Sequence, residues 1–367
     1  MHQDDWVSGI ELGMELEALP TPVLCLDAGA VQRNIERMTA LCRQHGKQWR
    51  PHIKGHRCPQ IMALLRAAGC SGVTCATLRE AQYAAAVGIR DILIANQMAL
   101  NKLPRLARLR HVADVILTLD DEQQLLAAEQ AARGEGVRLR AIVEVDIGMH
   151  RAGTRPEDAV TLAERIAQAR HLELVGIMGY EGHLLDVPDP DEKRTRIRDA
   201  LDILAHVRDA FQRRGLRCDI VSAGGTGSCE HTVTHPVVTE LQAGGLVMMD
   251  VYYRHACQVH RFDYALTVRT SIVSRPAPDR AIIDAGRKTH DVSLQPPEFL
   301  DAPAGIRVLA LNAEHGILAL SAPATDLRVG QRLAFVPGYS DFTTMLHRCF
   351  VAHDGKRVVG FWPIGPR

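Results

Sequence analysis

The 367-residue sequence has few aromatic residues and no excess of charge of either sign. Phe, Trp and Tyr make up 4% of the chain, whereas 46% of it is hydrophobic, so its apolar residues are mainly aliphatic. Lys and Arg together number 43, as do Asp and Glu, and the formal net charge is zero. Binding to a nucleic-acid backbone needs clustered positive charge, which this sequence lacks. We therefore do not expect nucleic acid as a partner.

Long apolar runs are also missing. No window approaches the roughly 20 apolar residues that a membrane-spanning helix needs, and the opening M-H-Q-D-D-W lacks the apolar core of a signal peptide. The nine cysteines are an odd number and form no C-x-x-C pair. Free thiols of this kind are typical of a reducing compartment. We expect a cytoplasmic protein that does not contact a membrane.

The chain does contain a regular alternation of short apolar runs with longer helical patterns. In the clearest helical pattern, apolar residues recur at helical spacing from Ile197 to Phe211 and stop before Gly215. Eight such alternations predict an α/β protein with a closed (β/α)₈ TIM-like barrel. The predicted strands are 21–27, 49–54, 72–77, 91–96, 115–120, 139–146, 172–180 and 218–225.

The pattern changes after residue 254. From there on, short strand-like runs are broken by Pro and Gly, and no long helical pattern separates them. We therefore predict a barrel domain at residues 20–254 and a second, mostly β C-terminal domain at residues 255–367. The N-terminal residues 1–19 are expected to join the second domain.

Polar residues lie where several of the strands are predicted to end, which is where barrels of this type place their functional groups. The run R-P-H-I-K-G-H puts Lys54 at the end of the second strand, where lost solvation would suit its amine to Schiff-base formation. A solvated loop lysine is the alternative. Arg151 follows the sixth strand, and the small-residue turn at 222–228 follows the eighth. Such a turn exposes backbone N–H groups that can hold a phosphate.

A lysine, an arginine and a phosphate turn are the parts that hold pyridoxal 5′-phosphate in a barrel. The sequence resembles the fold type III pyridoxal-phosphate enzymes, which have the alanine racemase-like fold, and among them the D-threonine aldolase and D-serine dehydratase group. The similar stretches follow one another along nearly the whole chain. They include R-P-H-I-K-G-H (50–56), V-D-I-G-M-H-R-A-G (145–153), G-Y-E-G-H-L (179–184), S-A-G-G-T-G-S (222–228), T-E-L-Q-A-G (239–244) and M-M-D-V-Y-Y (248–253).

The resemblance implies roles for individual residues. Lys54 would form the Schiff base, Arg151 would lie by the ring hydroxyl of the cofactor, and Tyr253 would approach its pyridine nitrogen. His183 and Tyr339 join Lys54 as candidates for catalysis. The residues implied to contact the cofactor are Lys54, Arg151, Tyr180, Ser222, Gly224, Gly225, Thr226, Gly227, Gln242 and Tyr253.

One stretch departs from the family pattern. Metal-dependent members carry a Pro-x-His-x-Cys or Pro-x-His-x-Asp run that supplies two ligands to a divalent ion. Here the run is P-G-Y-S-D (337–341), which keeps Asp341 but has Tyr339 at the histidine position. Either Mn²⁺ or Mg²⁺ binds through Asp341 with water and substrate, or the metal is absent and Tyr339 acts as acid or base.

The resemblance implies a homodimeric lyase that acts on a β-hydroxy D-amino acid. We expect retro-aldol cleavage to glycine, or a related amino acid, and an aldehyde. A D-serine or D-hydroxyaspartate type of dehydratase, which gives a 2-oxo acid and ammonia, is the alternative. An amino-acid racemase is a weaker one. The sequence leaves the identity of the amino acid open.

Overall fold

The computed structural model describes residues 8–366, and it divides the chain into two compact units. One unit comprises the described residues up to Ile35, Cys58–Ile61 and Gly245–Ile364. The other, which we call the barrel unit, comprises Glu36–Arg57, Met62–Gly244 and residues 365–366. The predicted domain boundary between residues 254 and 255 remains a prediction.

The elements alternate along the barrel unit as the sequence pattern indicates, and they are mostly strands beyond it. The helices are α1 (Ala28–Gln44), α2 (Pro59–Ala67), α3 (Leu78–Ala86), α4 (Leu103–Leu109), α5 (Glu122–Glu135), α6 (Ala159–Gln168), α7 (Pro190–Arg213), α8 (Cys229–Thr232) and α9 (Ser340–Thr344). The strands are β1 (Val23–Asp27), β2 (Gln48–Trp49), β3 (Val73–Cys75), β4 (Asp91–Ile94), β5 (Asp114–Leu119), β6 (Leu139–Glu144), β7 (Leu172–Met178), β8 (Ile220–Ala223), β9 (Glu240–Leu241), β10 (Leu266–Ala277), β11 (Arg280–Ile283), β12 (Glu298–Leu300), β13 (Ile306–Leu311), β14 (Gly316–Leu320), β15 (Arg332–Val336), β16 (Cys349–His353) and β17 (Val358–Pro363). None of the helices between residues 8 and 366 is long and apolar enough to cross a bilayer.

The barrel unit contains an eight-stranded parallel sheet in the order β2-β9-β8-β7-β6-β5-β4-β3. A parallel bridge between His52, just after β2, and Thr74 of β3 joins the two ends of this order and closes the sheet. The barrel core is aliphatic, as the composition predicts, and each buried aliphatic side chain contributes about 1.5 to 3 kcal/mol. The core cluster consists of Leu93, Ala95, Ile116, Ile142, Val175 and Met178. The predicted (β/α)₈ barrel is confirmed.

Helix α7 shows how the local sequence sets these elements. Asp189 caps its start by accepting a hydrogen bond from the Glu192 N–H at 2.7 Å, and Pro190 occupies the first turn, where its missing N–H costs nothing. The chain leaves the helix before Gly215, which adopts a φ of +66°. The predicted helix and its end are confirmed.

The other unit contains a nine-stranded sheet, in agreement with the predicted mostly β domain. Its main order is β13-β14-β11-β10-β1-β16-β17, and β15 pairs with β10 and β12. All its strand pairs are antiparallel except β1 with β16. Its core cluster consists of Leu16, Leu19, Val23, Cys25, Val351 and Val358.

The prediction that strand 21–27 opens the barrel is wrong. This strand is β1, and it pairs with β10 and β16 in the nine-stranded sheet. The missing barrel strand is β9, which has two residues and closes the barrel between β8 and β2. An apolar run indicates a buried strand but not the sheet that the strand joins, and two residues are too few to show a period.

Candidate active site

The predicted site residues of the barrel unit follow the carboxyl ends of its parallel strands, which lie at one rim of such a barrel. Lys54 comes after β2, Arg151 after β6, Tyr180 and His183 after β7, and Gln242 after β9. The small-residue turn at 222–228 spans the end of β8. The barrel therefore brings to one rim residues that are far apart in the sequence.

Lys54 is exposed at this rim, beside a histidine that sequence analysis gave no role. The backbone N–H of Lys54 donates to Nδ1 of His52 at 3.3 Å. Burial, together with the charges of Lys54, His56 and Arg151, holds the pKa of His52 well below its usual value. His52 is therefore a neutral ring that fixes the backbone at Lys54. The sequence signal for this role of His52 is its position in the run R-P-H-I-K-G-H, two residues before Lys54.

Arg151 and Tyr180 lie together on the loops after β6 and β7. The guanidinium carbon of Arg151 is 5.6 Å from the centre of the Tyr180 ring, within the range of a cation–π contact. Both residues border a small cleft, together with Glu144 at the end of β6. Glu144 is buried and accepts a hydrogen bond from Gln97 Nε2 at 2.6 Å. Burial raises its pKa, which the contacts with Gln97 and Arg151 partly offset.

The turn after β8 packs closely against its neighbours, and this packing requires glycine. A Cβ added to Gly225 would lie 2.8 Å from both Cε2 and the hydroxyl oxygen of Tyr180. Gly224 has a φ of +83°, which side-chain-bearing residues rarely adopt. Thr226 and Gly227 are buried beside them. The backbone of this turn can approach a phosphate closely, as the sequence analysis predicts for pyridoxal 5′-phosphate.

Ser222 and Gln242 belong to a hydrogen-bond network inside the barrel. The Ser222 hydroxyl donates to Glu240 Oε1 at 2.8 Å and accepts from Gln242 Nε2 at 3.0 Å. Arg50, 3% exposed, binds both oxygens of Glu240 at 3.0 Å and Asp91 Oδ1 at 2.7 Å. Ser222 is fully buried, so its side chain lies within this network. The network holds Gln242 at the end of β9.

His183 packs against the loop after β6. A Cβ on Gly148 would lie 3.0 Å from its Nε2, so glycine leaves room for the ring. Nδ1 of His183 is buried and has no hydrogen-bond partner within residues 8–366. Burial and then Arg196 lower the pKa of His183, outweighing the carboxylates of Glu181 and Asp146. The ring is therefore neutral near pH 7 and can accept a proton.

The remaining predicted residues lie in the other unit, where they form a cluster of aromatic rings. Tyr253 lies on a π-helical turn, a feature frequent at functional sites. The centre of its ring is 6.0 Å from that of Tyr339, and Tyr252 is 5.9 Å from Tyr339. The hydroxyl of Tyr339 donates to Asp341 Oδ2 at 3.2 Å. Tyr253, Tyr339 and Asp341 thus belong to one local structure.

A buried carboxylate that the sequence analysis missed holds this cluster together. Asp250 is fully buried; its Oδ1 accepts the Tyr253 N–H at 2.9 Å, and its Oδ2 accepts the Ser340 N–H and hydroxyl at 2.8 Å. Burial, with a further contribution from Asp341, raises its pKa to about 7. Asp250 therefore fixes the turn of Tyr253 to the segment of Tyr339. The sequence signal for this role of Asp250 is its position in the run M-M-D-V-Y-Y, three residues before Tyr253.

The donor groups do not make a complete metal site. In the part of the chain that the structure describes, no group of three or more His, Cys, Asp or Glu side chains comes together as metal ligands. Asp341 is paired with the hydroxyl of Tyr339, a poor ligand near neutral pH. We therefore derive no step through a metal.

Comparisons with known proteins identify the family of this chain. Residues 26–251 match the family of the alanine racemase N-terminal domain, and residues 265–353 match a serine dehydratase domain. A D-threonine aldolase of an Arthrobacter species is 34% identical over 97% of this chain and 94% of its own. A 3-hydroxy-D-aspartate aldolase of Paracoccus denitrificans is 32% identical over 98% of this chain and 97% of its own.

Two further similarities concern a dehydratase and a solved structure. A D-threo-3-hydroxyaspartate dehydratase of a Delftia species is 29% identical over 89% of this chain and 92% of its own. The crystal structure of D-threonine aldolase from Filomicrobium marinum superimposes with a TM-score of 0.92, at 32% identity and 96% coverage of both chains. This chain belongs to the fold type III pyridoxal-phosphate enzymes, in the group that joins an alanine racemase-like barrel to a serine dehydratase domain.

Proposed function

We propose that this protein is a pyridoxal-phosphate-dependent lyase that breaks the Cα–Cβ bond of β-hydroxy D-amino acids. The observation that carries the proposal is the shared barrel rim, at which a lysine follows β2, the Arg151–Tyr180 pair follows β6 and β7, and a glycine turn follows β8. The three proteins reported above with more than 30% identity are all named as aldolases of such amino acids.

The residues present fit the cofactor. The turn of Gly224, Gly225, Thr226 and Gly227 would bind the phosphate through its backbone N–H groups, and its glycines place no side chain between that backbone and Tyr180. Lys54 would bond the aldehyde carbon. Contacts to the cofactor are also proposed for Arg151, Tyr180, Gln242 and Tyr253, while the buried Ser222 would hold Gln242. When bound, pyridoxal 5′-phosphate accepts the electron pair released at the α-carbon of the amino acid.

His183 is the proposed base for the cleavage. As a neutral ring on the segment after β7, His183 can take the proton of the substrate's β-hydroxyl. The oxygen then forms the carbonyl of the aldehyde product as the Cα–Cβ bond breaks. Removal of the α-proton and departure of the hydroxyl would instead give a dehydratase, the activity named for the Delftia relative.

The lowered pKa of His183 leads to a prediction about pH. A base is active when it is deprotonated, and a pKa below the usual 6.5 keeps His183 deprotonated at lower pH. We expect the acidic limb of kcat/KM against pH to have its midpoint below 6.5. A profile from the acidic to the neutral range measures this midpoint, and a value above 6.5 would contradict the proposed environment of His183.

For metal binding we propose Asp341 as the ligand and Mn²⁺ or Mg²⁺ as the ion. Replacing Tyr339 by His would restore the His-x-Asp pair of the metal-dependent relatives, and we expect the affinity for Mn²⁺ to rise at least about tenfold. The measurement is a Mn²⁺ titration by calorimetry. Tyr252→His, in the same ring cluster, is the matched control and should leave the titration unchanged. An equal titration for Tyr339→His and the unaltered protein would count against the alignment at this position.

Two finer proposals concern where and how the protein works. None of the nine cysteines, all of which lie within residues 8–366, is part of a disulfide, which supports the cytoplasm as its compartment. The family resemblance supports a homodimer, and the exposed apolar side chains Phe342, Met345 and Leu346 offer a surface for it. Light scattering at enzyme-assay concentration should give twice the chain mass of 40.4 kDa, and the single-chain mass would overturn the dimer.

The direct test of the function is a comparison of stereoisomers. With pyridoxal 5′-phosphate supplied, D-threonine and 3-hydroxy-D-aspartate should release an aldehyde, and the L isomers should not. Release from the L isomers alone, or from none of a wider panel of β-hydroxy D-amino acids, would overturn the proposal.

A further inference from the structure

Glu181, a carboxylate with no role in the mechanism above, is enclosed behind the glycine turn. It follows β7, between Tyr180 and His183 on the same short segment, and is 0% exposed. Its Oε2 accepts the backbone N–H of Gly224 at 3.3 Å, and its Oε1 accepts the hydroxyl of Thr232. Gly224 is the first glycine of the turn, and Thr232 is the last residue of α8, the helix that follows the turn. The two oxygens of one carboxylate therefore bind the turn and the helix after it.

A carboxylate at this position needs an explanation beyond packing. Burying a charge is costly unless hydrogen bonds compensate for the lost water, and an aliphatic side chain would fill a barrel end without that cost. Glu181 accepts hydrogen bonds from one donor on the turn, the Gly224 N–H, and from one donor on α8, the Thr232 hydroxyl. A group that holds this backbone in a set shape gains from being a carboxylate, because hydrogen bonds to charged acceptors are stronger than those to neutral ones.

The remaining residues of the turn follow from the position in which Glu181 holds Gly224. Gly224 is in the left-handed region at φ +83°, and a Cβ there would lie 3.1 Å from Thr232 Cγ2. The next N–H, of Gly225, donates to Ser228 Oγ at 3.1 Å, which closes the turn on itself. Glu181 therefore fixes the point from which the turn begins, and Tyr180 covers the turn at Gly225.

We infer that Glu181 is a positioning residue that holds the glycine turn in the shape that binds the phosphate of the cofactor. The inference rests on the proposed function, because that proposal places the phosphate at this turn. Glu181 acts through the backbone of Gly224 and the side chain of Thr232, and not by contact with the phosphate. Its removal should therefore weaken binding of a ligand that has the phosphate more than binding of one that lacks it.

The test compares pyridoxal 5′-phosphate with pyridoxal, which lacks only the phosphate. Each is titrated into the cofactor-stripped full-length protein and followed by the absorption of the bound form. The unaltered protein should prefer the phosphorylated form strongly. Glu181→Ala should weaken binding of pyridoxal 5′-phosphate by about tenfold, because it removes both hydrogen bonds through which the carboxylate holds the turn. Its affinity for pyridoxal should change less than about twofold.

Two variants separate positioning from a general effect on folding. Glu181→Gln should restore most of the preference, because its amide oxygen can accept the Gly224 N–H while the Thr232 hydroxyl turns to accept its NH₂. Thr118→Val removes another buried hydrogen bond of the barrel, to Ile94 O at 2.7 Å, and should leave the preference unchanged. If Glu181→Ala does not fold, Thr232→Val removes one of the two contacts and should weaken phosphate-dependent binding severalfold.

The outcomes separate the inference from the function on which it rests. An unchanged preference in Glu181→Ala or, where that protein does not fold, in Thr232→Val would overturn the positioning role and leave the proposed function intact. Equal losses for both ligands would also overturn it, because they would indicate a general effect on the barrel. An unaltered protein without any preference for the phosphorylated form would overturn the proposed cofactor site itself.

Discussion

Replacing Lys54 by alanine is expected to abolish the visible absorption band of the cofactor-bound protein. The proposed covalent bond to the cofactor needs an amine at the barrel rim, and the variant has none at this position. Turnover should fall on the order of 10³-fold or more, as it does when a covalent catalyst loses its reacting group. Absorption spectroscopy during titration with pyridoxal 5′-phosphate measures the first effect, and a stopped assay with D-threonine measures the second.

The matched control for this variant is Lys356→Ala. Lys356 is exposed, in the turn between β16 and β17, and no function is assigned to it. Its removal takes away the same charge and should leave both the band and the turnover unchanged. A band retained in Lys54→Ala would contradict the assignment of Lys54 as the Schiff-base lysine.

Replacing His183 by asparagine should lower kcat by about 10²- to 10⁴-fold, the usual contribution of a general base. Asparagine keeps a polar side chain in the space beside Gly148 but cannot accept a proton at neutral pH. Binding of pyridoxal 5′-phosphate should stay within about threefold of the unaltered protein, because the glycine turn and Lys54 are unchanged. Steady-state kinetics and the cofactor titration distinguish the two effects.

His150→Asn is the matched control for the base. This histidine lies two residues from Gly148, is exposed, and pairs with Asp146 Oδ2 through Nδ1 at 2.8 Å. Because exposed pairs of this kind contribute little, its loss should change kcat only a few-fold. Equal losses in the two variants would show that His183 is not the base, since the disturbance of the loop would then account for both.

The barrel could be predicted because its aliphatic strands and amphipathic helices alternate at a regular spacing. The sheet that each strand joins could not be predicted in the same way. Val23–Asp27 has the same apolar pattern as a barrel strand but pairs with β10 and β16, and this choice depends on partners more than 200 residues away. Strand β9 has two residues and is held by its neighbours β8 and β2.

The candidate site likewise contains residues that could be predicted from the sequence and residues that could not. Lys54, Arg151 and the glycine turn could be found because each residue type suits its chemistry at a strand end. Glu181 and Asp250 could not be given roles, although both lie in motifs identified in the sequence. Each has a hydrogen-bond partner far along the chain, Thr232 at 51 residues from Glu181 and Ser340 at 90 residues from Asp250, and no local pattern indicates such contacts.

The central claim, cleavage of the Cα–Cβ bond, is tested most directly by identifying the products. The protein is supplied with pyridoxal 5′-phosphate and Mn²⁺ and incubated with D-threonine, D-serine and 3-hydroxy-D-aspartate. Chromatography then scores the amino acid product and aldehyde against 2-oxo acid and ammonia. Our account predicts glycine and acetaldehyde from D-threonine. Formation of 2-oxo acid and ammonia without glycine would contradict it and establish the dehydratase.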